Sequence, residues 1–223
     1  MYICEMLSFT EENHLKSIFH LSNNGTNSVS TNAIAESLKT KPPSVTDMLK
    51  KLSEKKLVLY KKYQGSLLTE KGRKMALNII RKHRLWEVFL VDKLGFNWSE
   101  VHEVAEQLEH IKSKKLINEL DRFLEFPTKD PHGDPIPNPA GFIKQTDRFL
   151  LSELKNGEKG KFIGVKDSSS AFLKFLDKRK IALGSNIEVL HIEDFDNSLH
   201  IGLEETNLSI SIKSASNIYV TKI

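Results

Sequence analysis

The stretch KTKPPSVTDMLKKLSEKK (39–56) places two prolines between two runs of helical periodicity, and this constrains the fold more than any other feature. Proline lacks the amide proton that a helix interior needs, yet it is tolerated in a first turn. KTKPP therefore reads as a turn and Pro43 as the opening of a helix whose buried stripe is Val45, Met48, Leu49 and Leu52. Ser44, Thr46, Asp47, Lys50 and Lys51 then fall on or near its exposed side. Upstream, TNAIAESL (31–38) reads as a short helix capped by Ser30 or Thr31, with Ile34, Ala35 and Leu38 inward. Before it, EENHLKSIFHLS (11–22) sets Leu15, Ile18, Phe19 and Leu21 at near-helical spacing. Downstream, LVLYKKYQGSLLTEKG changes period and carries two apolar runs around Gly65, which reads as a β-hairpin.

Helix, short helix, proline turn, basic helix and hairpin together describe a winged helix-turn-helix, whose exposed helix would enter the major groove of double-stranded DNA. The residues expected at the DNA are Thr31, Lys41, Pro43, Ser44, Thr46, Asp47, Lys50, Lys51, Lys61, Lys62 and Arg73, with Lys61, Lys62 and Arg73 on phosphates. The alternative is a winged helix that makes only protein contacts. Charge favours DNA: residues 1–84 hold 15 Lys+Arg against 7 Asp+Glu, a net of +8, and the remainder carries −4.

Hydrophobic content of 39% with 28% charged residues fits a globular chain, and no apolar run approaches the ~20 residues needed to span a bilayer. MYICEMLSF lacks the features of a signal peptide, and the single cysteine, Cys4, excludes an internal disulfide or a Cys-based zinc cluster. A cytoplasmic protein without a membrane partner is the expectation.

From Lys74 to Phe126 the pattern is helical in three pieces, separated by LGFNWSE and by a break near Ser113. Asn97 or Ser99 can cap the piece that contains HEVAEQLEH (102–110), where His102, Glu106, Glu109 and His110 share one helical face and Glu103 points elsewhere. On the preceding piece His83 and Glu87 stand four apart, among apolar Leu85, Trp86, Phe89 and Leu90. Ionisable groups on so apolar a helix need partners. Two helices that each present His and Glu could supply a nitrogen and oxygen donor set without thiolate, suited to Mn²⁺, Fe²⁺ or Zn²⁺. Ordinary His–Glu hydrogen bonds between helices are the alternative. HExxH and a doubled Glu-x-x-His are absent, as is any serine or cysteine nucleophile signature, so a metalloenzyme is disfavoured against a regulator.

EFPTKDPHGDPIPNPAG is a proline-rich link, after which GKFIGV, SNIEVLHI, SLHIGL, LSISI and NIYV read as short strands interrupted by one helix, SAFLKFLDKRKI. The expected architecture is mainly α with β: a winged helix-turn-helix (1–76), a helical metal-binding and dimerisation domain with its link (77–147), and a small five-stranded SH3-like β-barrel (148–223).

RKHRLWEVFLVDKLGFNWSEVHEVAEQLEH, followed by PHGDPIP, resembles the metal-binding core of the diphtheria-toxin-repressor family, which comprises bacterial metal-dependent repressors including manganese regulators. The resemblance runs through TEENHLKSIF, KPPSVTDMLKKL and LTEKGRKMA and ends in a FeoA-like, SH3-fold segment with LDKRKIALGSNIEV. It implies a homodimeric repressor that binds a palindromic operator with a divalent metal as corepressor. It further implies a primary site of His83, Glu106, Glu109 and His110 with Asn13, where manganese regulators usually carry aspartate. Glutamate at 106, where iron-responsive members have cysteine, favours Mn²⁺, with Fe²⁺ the alternative. For a second site the resemblance offers either His83, Glu87 and His102, or Glu87, His132 and Asp167 with Asp130 at a position that is often cysteine. Ser168 and Ala171 stand where iron regulators have ligands in the C-terminal domain.

Overall fold

The computed structural model describes residues 7–144, 147–203 and 206–223; Cys4 lies outside the described residues. Two compact units result, one of Met1–His83, Glu106–Ile117 and Pro137–Ile143, the other of Arg84–Ala105, Asn118–Ile136 and Lys144–Ile223. Residues 77–147, expected as a middle segment, are shared between them. The physical reason is the length of one helix, α4 (Glu70–Leu94), whose 25 residues contribute to both.

The first unit opens with α1 (Phe9–Leu21), which starts at a capping box: Glu11 N donates to Ser8 Oγ and Ser8 N to the Glu11 carboxylate. Leu15, Ile18 and Phe19 bury its apolar stripe, each side chain stabilising by about 1.5–3 kcal/mol. Leu21, the last residue of the helix, stays 43% exposed, contrary to the periodicity. In α2 (Thr31–Ser37) the Ser30 hydroxyl accepts from Ala33 N and caps the helix, while Ile34 and Ala35 point inward. Both prolines occupy the first turn of α3 (Pro42–Glu54), so the helix begins one residue before Pro43, and Val45, Leu49 and Leu52 are buried.

β1 (Val58–Lys61) and β2 (Gly65–Leu68) form the antiparallel wing. Ser66 also exchanges backbone hydrogen bonds with Val29, both at 2.8 Å, which pins the wing to the segment before α2. Gly65 permits this approach: at φ +91°, a Cβ there would meet Ser28 Oγ and Val29 O at 2.6 Å.

The remainder of α4 belongs to the second unit and is followed by α5 (Val101–Leu108) and α6 (Lys114–Phe123), each of which divides between the units. The C-terminal sheet runs β3 (Phe149–Leu150), β4 (Lys159–Val165), β5 (Asn186–Ile192), β6 (Leu199–Leu203), β7 (Thr206–Ile210) and β8 (Ile218–Lys222) in the order β3-β8-β4-β5-β6-β7, antiparallel throughout. It has six strands where five are expected, because β3 is only two residues long and too short to carry a periodicity. α7 (Ser170–Lys178) is the expected helix, and α8 (Ile212–Ala215) is a single turn between β7 and β8. Phe162, Leu151, Ile187, Val189, Ile201 and Val220 fill the core of this sheet. The loop from Asp130 to Asp134 lies against β4: Val165 N donates to His132 O at 3.0 Å. A Cβ at Gly133 (φ +87°) would sit 2.0 Å from Ile163 O, so only glycine admits this contact.

The N-terminus of α1 is also held by charge. Lys55 Nζ and Lys51 Nζ, both on or just beyond α3, lie 2.8 and 3.3 Å from Glu11 Oε1. Burial alone would raise the Glu11 pKa, but hydrogen bonds from Lys55, Ser8 N and Lys51 bring it down to about 2 from 4.5. A folded value below the unfolded one contributes stability that is fully present above pH 4.5 and is lost as pH falls toward 2. Glu11→Gln is expected to lower stability at neutral pH by about 1–3 kcal/mol and to flatten the acid limb of the stability curve. Thermal unfolding of both proteins from pH 7 to pH 2 checks this. An unchanged acid limb would show that the carboxylate does not anchor α1.

Candidate metal centre

Helix α5 ends at Leu108, so Glu109 and His110 occupy the turn that follows, closed by Ile111 N donating to Leu108 O at 3.1 Å, rather than the helix expected from the sequence. The i, i+3 relation survives. One nitrogen of His83 and one carboxylate oxygen each of Glu106 and Glu109 lie within 4.8 Å of one another. Glu109 is fully buried and His83 nearly so. His83 Nδ1 stands 2.7 Å from Glu109 Oε2, the geometry of a His–carboxylate hydrogen bond.

Helix α1 closes this cluster with side chains that the helical pattern did not single out. Lys16 Nζ donates to Glu106 Oε1 at 2.5 Å and to both oxygens of Glu109 at 2.7 and 2.8 Å. One turn earlier, Glu12 Oε2 lies 2.6 Å from His110 Nδ1, and Glu12 Oε1 accepts from Lys112 at 2.7 Å, with Lys82 Nζ 3.9 Å away. His110 stacks on Phe9 at 4.5 Å between ring centroids, and its Nε2 is 4.0 Å from Glu109 Oε1. Burial pushes the Lys82 ammonium pKa down against the opposing pull of Glu12 and Glu109. Asn13 lies between Glu12 and Lys16 on α1, and its Oδ1 is buried without a hydrogen-bond partner. An orphaned buried oxygen is costly, and a cation is one partner that would satisfy it. The donor chemistry therefore fits a divalent ion. The signal for the two missed groups was their i, i+4 spacing on α1, which ordinarily marks a solvated face.

A second set lies in the other unit. Glu87, Asp130 and His132 are all buried and offer donor atoms within 4.8 Å of one another. Asp130 Oδ1 accepts from His132 N and Asp134 N, both at 2.9 Å, while Arg84 Nε lies 3.2 Å from Oδ2. His132 Nε2 is 2.8 Å from Trp98 O, its ring stacks on Trp98, and its Nδ1 is 3.7 Å from Glu87 Oε2. Burial alone would lower the His132 pKa, but Glu87, Asp130 and the Trp98 carbonyl raise it to about 9. Burial raises that of Asp130 against the pull of Arg84, with Glu87 and Asp134 adding to the rise. His102, 53% exposed, sits 3.3 Å from Glu87 Oε1. Asp167 does not join the cluster: it is exposed and its Oδ1 accepts from Ser169 N at the start of α7.

Of the residues expected at DNA, Lys41, Pro43, Ser44, Asp47, Lys50, Lys61 and Lys62 are exposed, and Thr31 and Thr46 half-buried. Thr46 Oγ1 donates to Pro42 O, and Lys50 pairs with Asp47 at 3.1 Å. Lys51 is drawn toward Glu11. Arg73 Nε donates to Asn24 O, and its guanidinium lies 5.9 Å from the Phe19 ring, so this side chain braces the turn after α1. Among the described residues no helix is long and apolar enough to cross a membrane.

Comparison with known proteins identifies the family. Residues 6–66 match the model of the iron dependent repressor N-terminal DNA binding domain, residues 69–138 that of the iron dependent repressor metal binding and dimerisation domain, and residues 149–222 the FeoA domain. The chain is 37% identical over 155 residues to the iron-dependent repressor IdeR of Mycobacterium leprae, covering 66% of this chain and 67% of that protein. The match to IdeR of Mycobacterium tuberculosis spans 55% of that protein. Among solved structures, a manganese-dependent transcriptional repressor in complex with manganese superposes with TM-score 0.86 at 31% identity, covering 96% of this chain and 100% of the other. ScaR with bound Cd²⁺ superposes with TM-score 0.79 at 33% identity, covering 96% and 99%. The chain belongs to the diphtheria-toxin-repressor family of metal-dependent transcriptional repressors.

Proposed function

We propose that this repressor responds to Mn²⁺, held by His83, Glu106, Glu109 and His110 with Asn13, and binds a palindromic operator as a homodimer. The observation that carries the reading is the convergence of His83, Glu106 and Glu109, to which α1, the helix of the buried and unpartnered Asn13 oxygen, is tied through Lys16. Carboxylate, amide oxygen and imidazole without thiolate make a hard donor set, which favours Mn²⁺ over softer-ligand metals. The similarity to a repressor solved with manganese points the same way, whereas that to iron-dependent repressors keeps Fe²⁺ as the second reading. Glu87, Asp130 and His132 form the proposed second site, held in shape by Arg84 and Gly133.

A divalent cation at the primary site would supply positive charge to the Glu106 and Glu109 carboxylate pair. The remaining work belongs to the chain. α1 packs beside α2 and α3, so fixing α1 fixes the helix that presents Ser44, Asp47 and Lys50 outward. Lys61 and Lys62 on the wing supply phosphate contacts that set register without reading sequence. Exposed Leu94, Phe123 and Phe126 give the helical segment an apolar surface suited to self-association.

Glu106→Ala is expected to abolish metal-stimulated operator binding while leaving the protein folded. Asn13→Asp adds a negative charge and is expected to lower the Mn²⁺ concentration needed for DNA binding. Asn13→Ala should retain metal but weaken the DNA response by about 1–3 kcal/mol, the range of an allosteric coupling. Calorimetry for metal and fluorescence anisotropy for operator DNA measure both. Full metal stimulation in Glu106→Ala would overturn the site.

Paired Lys50→Ala and Lys62→Ala should weaken DNA binding broadly and reduce the salt slope by roughly one per lost phosphate contact. Ser44→Ala should instead shift sequence preference. An unaltered salt slope in the double variant would remove α3 and the wing from the DNA interface.

A further inference from the structure

We propose that Lys16 is a built-in competitor for the primary site, a residue that sets the cation concentration at which the repressor responds. The inference rests on the reading of Glu106 and Glu109 as ligands. Lys16 engages one oxygen of Glu106 and both oxygens of Glu109, at 2.5, 2.7 and 2.8 Å. A cation on those carboxylates needs the same lone pairs. It would also sit close to the ammonium in a site where Glu109 has no solvent exposure, and like charges at such range in a poorly screened place repel strongly. Metal binding and the Lys16 ion pair are therefore mutually exclusive, and the measured affinity for metal is the intrinsic affinity reduced by the free energy of that pair.

Lys16 is suited to leaving. Its side chain keeps 12% exposure, and an ammonium on a flexible four-carbon stem can swing into water without moving α1. The neighbouring charges are already matched. Glu12 is claimed by Lys112 and His110, with Lys82 nearby, so it offers Lys16 no competing anion within the cluster described above. The same geometry gives Lys16 a second effect: it links α1 to the α5 turn through a salt bridge, so exchange of ammonium for metal replaces one tether between these elements by another. Asn13 fits this division. With a neutral amide at that position, the ligand pair that Lys16 neutralises comprises only the carboxylates of Glu106 and Glu109.

The test is calorimetric titration of Mn²⁺ into the full chain stripped by chelator, for the wild type, Lys16→Met, Lys16→Gln, Lys16→Arg and Glu106→Ala. Both neutral variants are expected to bind Mn²⁺ at least about tenfold more tightly than wild type, the size of one charge-assisted hydrogen-bond set released from competition. Lys16→Arg, which keeps the charge, should retain most of the weakening. Metal should also raise the thermal midpoint of Lys16→Met more than that of wild type, because the variant starts from an uncompensated buried carboxylate. Equal or weaker Mn²⁺ binding in Lys16→Met and Lys16→Gln overturns the proposal, as does loss of the folded circular-dichroism signal in both, which would make Lys16 a structural ion pair. Glu106→Ala separates the two levels. If it binds Mn²⁺ like wild type, the ligand assignment itself fails; if it loses Mn²⁺ while the Lys16 variants match wild type, only the competitor role fails.

Discussion

Glu109 places a carboxylate where water does not reach, and side chains of α1 and α4 converge on that charge. An unpaired ion in such a place is too costly to keep, so it must be met by opposite charge and by hydrogen bonds. Lys16 supplies the charge from α1 and His83 the hydrogen bond from α4. A single buried acid thus forces the first helix of the DNA-binding segment to stay in contact with the turn after α5. Burying ions adds little net stability compared with a hydrophobic substitute. What it provides, in the proposed reading, is a joint whose charge balance a divalent cation would alter.

This explains why so much ionisable chemistry is concentrated on one side of α1. Glu11, Glu12 and Lys16 bond in turn to the α3 lysines, to His110 with Lys112, and to Glu106 with Glu109. Glu11 thereby locks α1 to α3, while Glu12 and Lys16 hold it to α5 and the turn that follows. In the proposed reading, α1 is the element through which a change at the Glu106 and Glu109 carboxylates would reach α3. A ligand shifts such an equilibrium only by binding one arrangement better than the other, and here the differential contacts lie on α1.

The periodicity made much of this legible. Val45, Leu49 and Leu52 had to face inward once the prolines had set where α3 begins, and the shift from a period of 3.6 to 2 around Gly65 marked the wing. Glu106 and Glu109 on one segment and His83 on another stood out as ionisable side chains at helical steps, but that they belong to one site was what the family resemblance implied. Lys16 and Glu12 did not stand out, since a lysine and a glutamate four apart look like any solvated helical surface; the partners Glu106 and His110 are ninety or more residues away. Asp167 shows the converse. The resemblance places it with Glu87 and His132, but its carboxylate caps the turn into α7 and is exposed. The two-residue β3 and the single-turn α8 were too short for any periodicity to register.

Anomalous scattering at the manganese edge, from crystals of the full chain grown with Mn²⁺, tests the central claim most directly. The account predicts a peak within coordination distance of His83, Glu106 and Glu109, with the Lys16 ammonium withdrawn from both carboxylates. A structure in which manganese is bound only elsewhere, or in which Lys16 still bridges Glu106 and Glu109 beside a fully occupied ion, would contradict it.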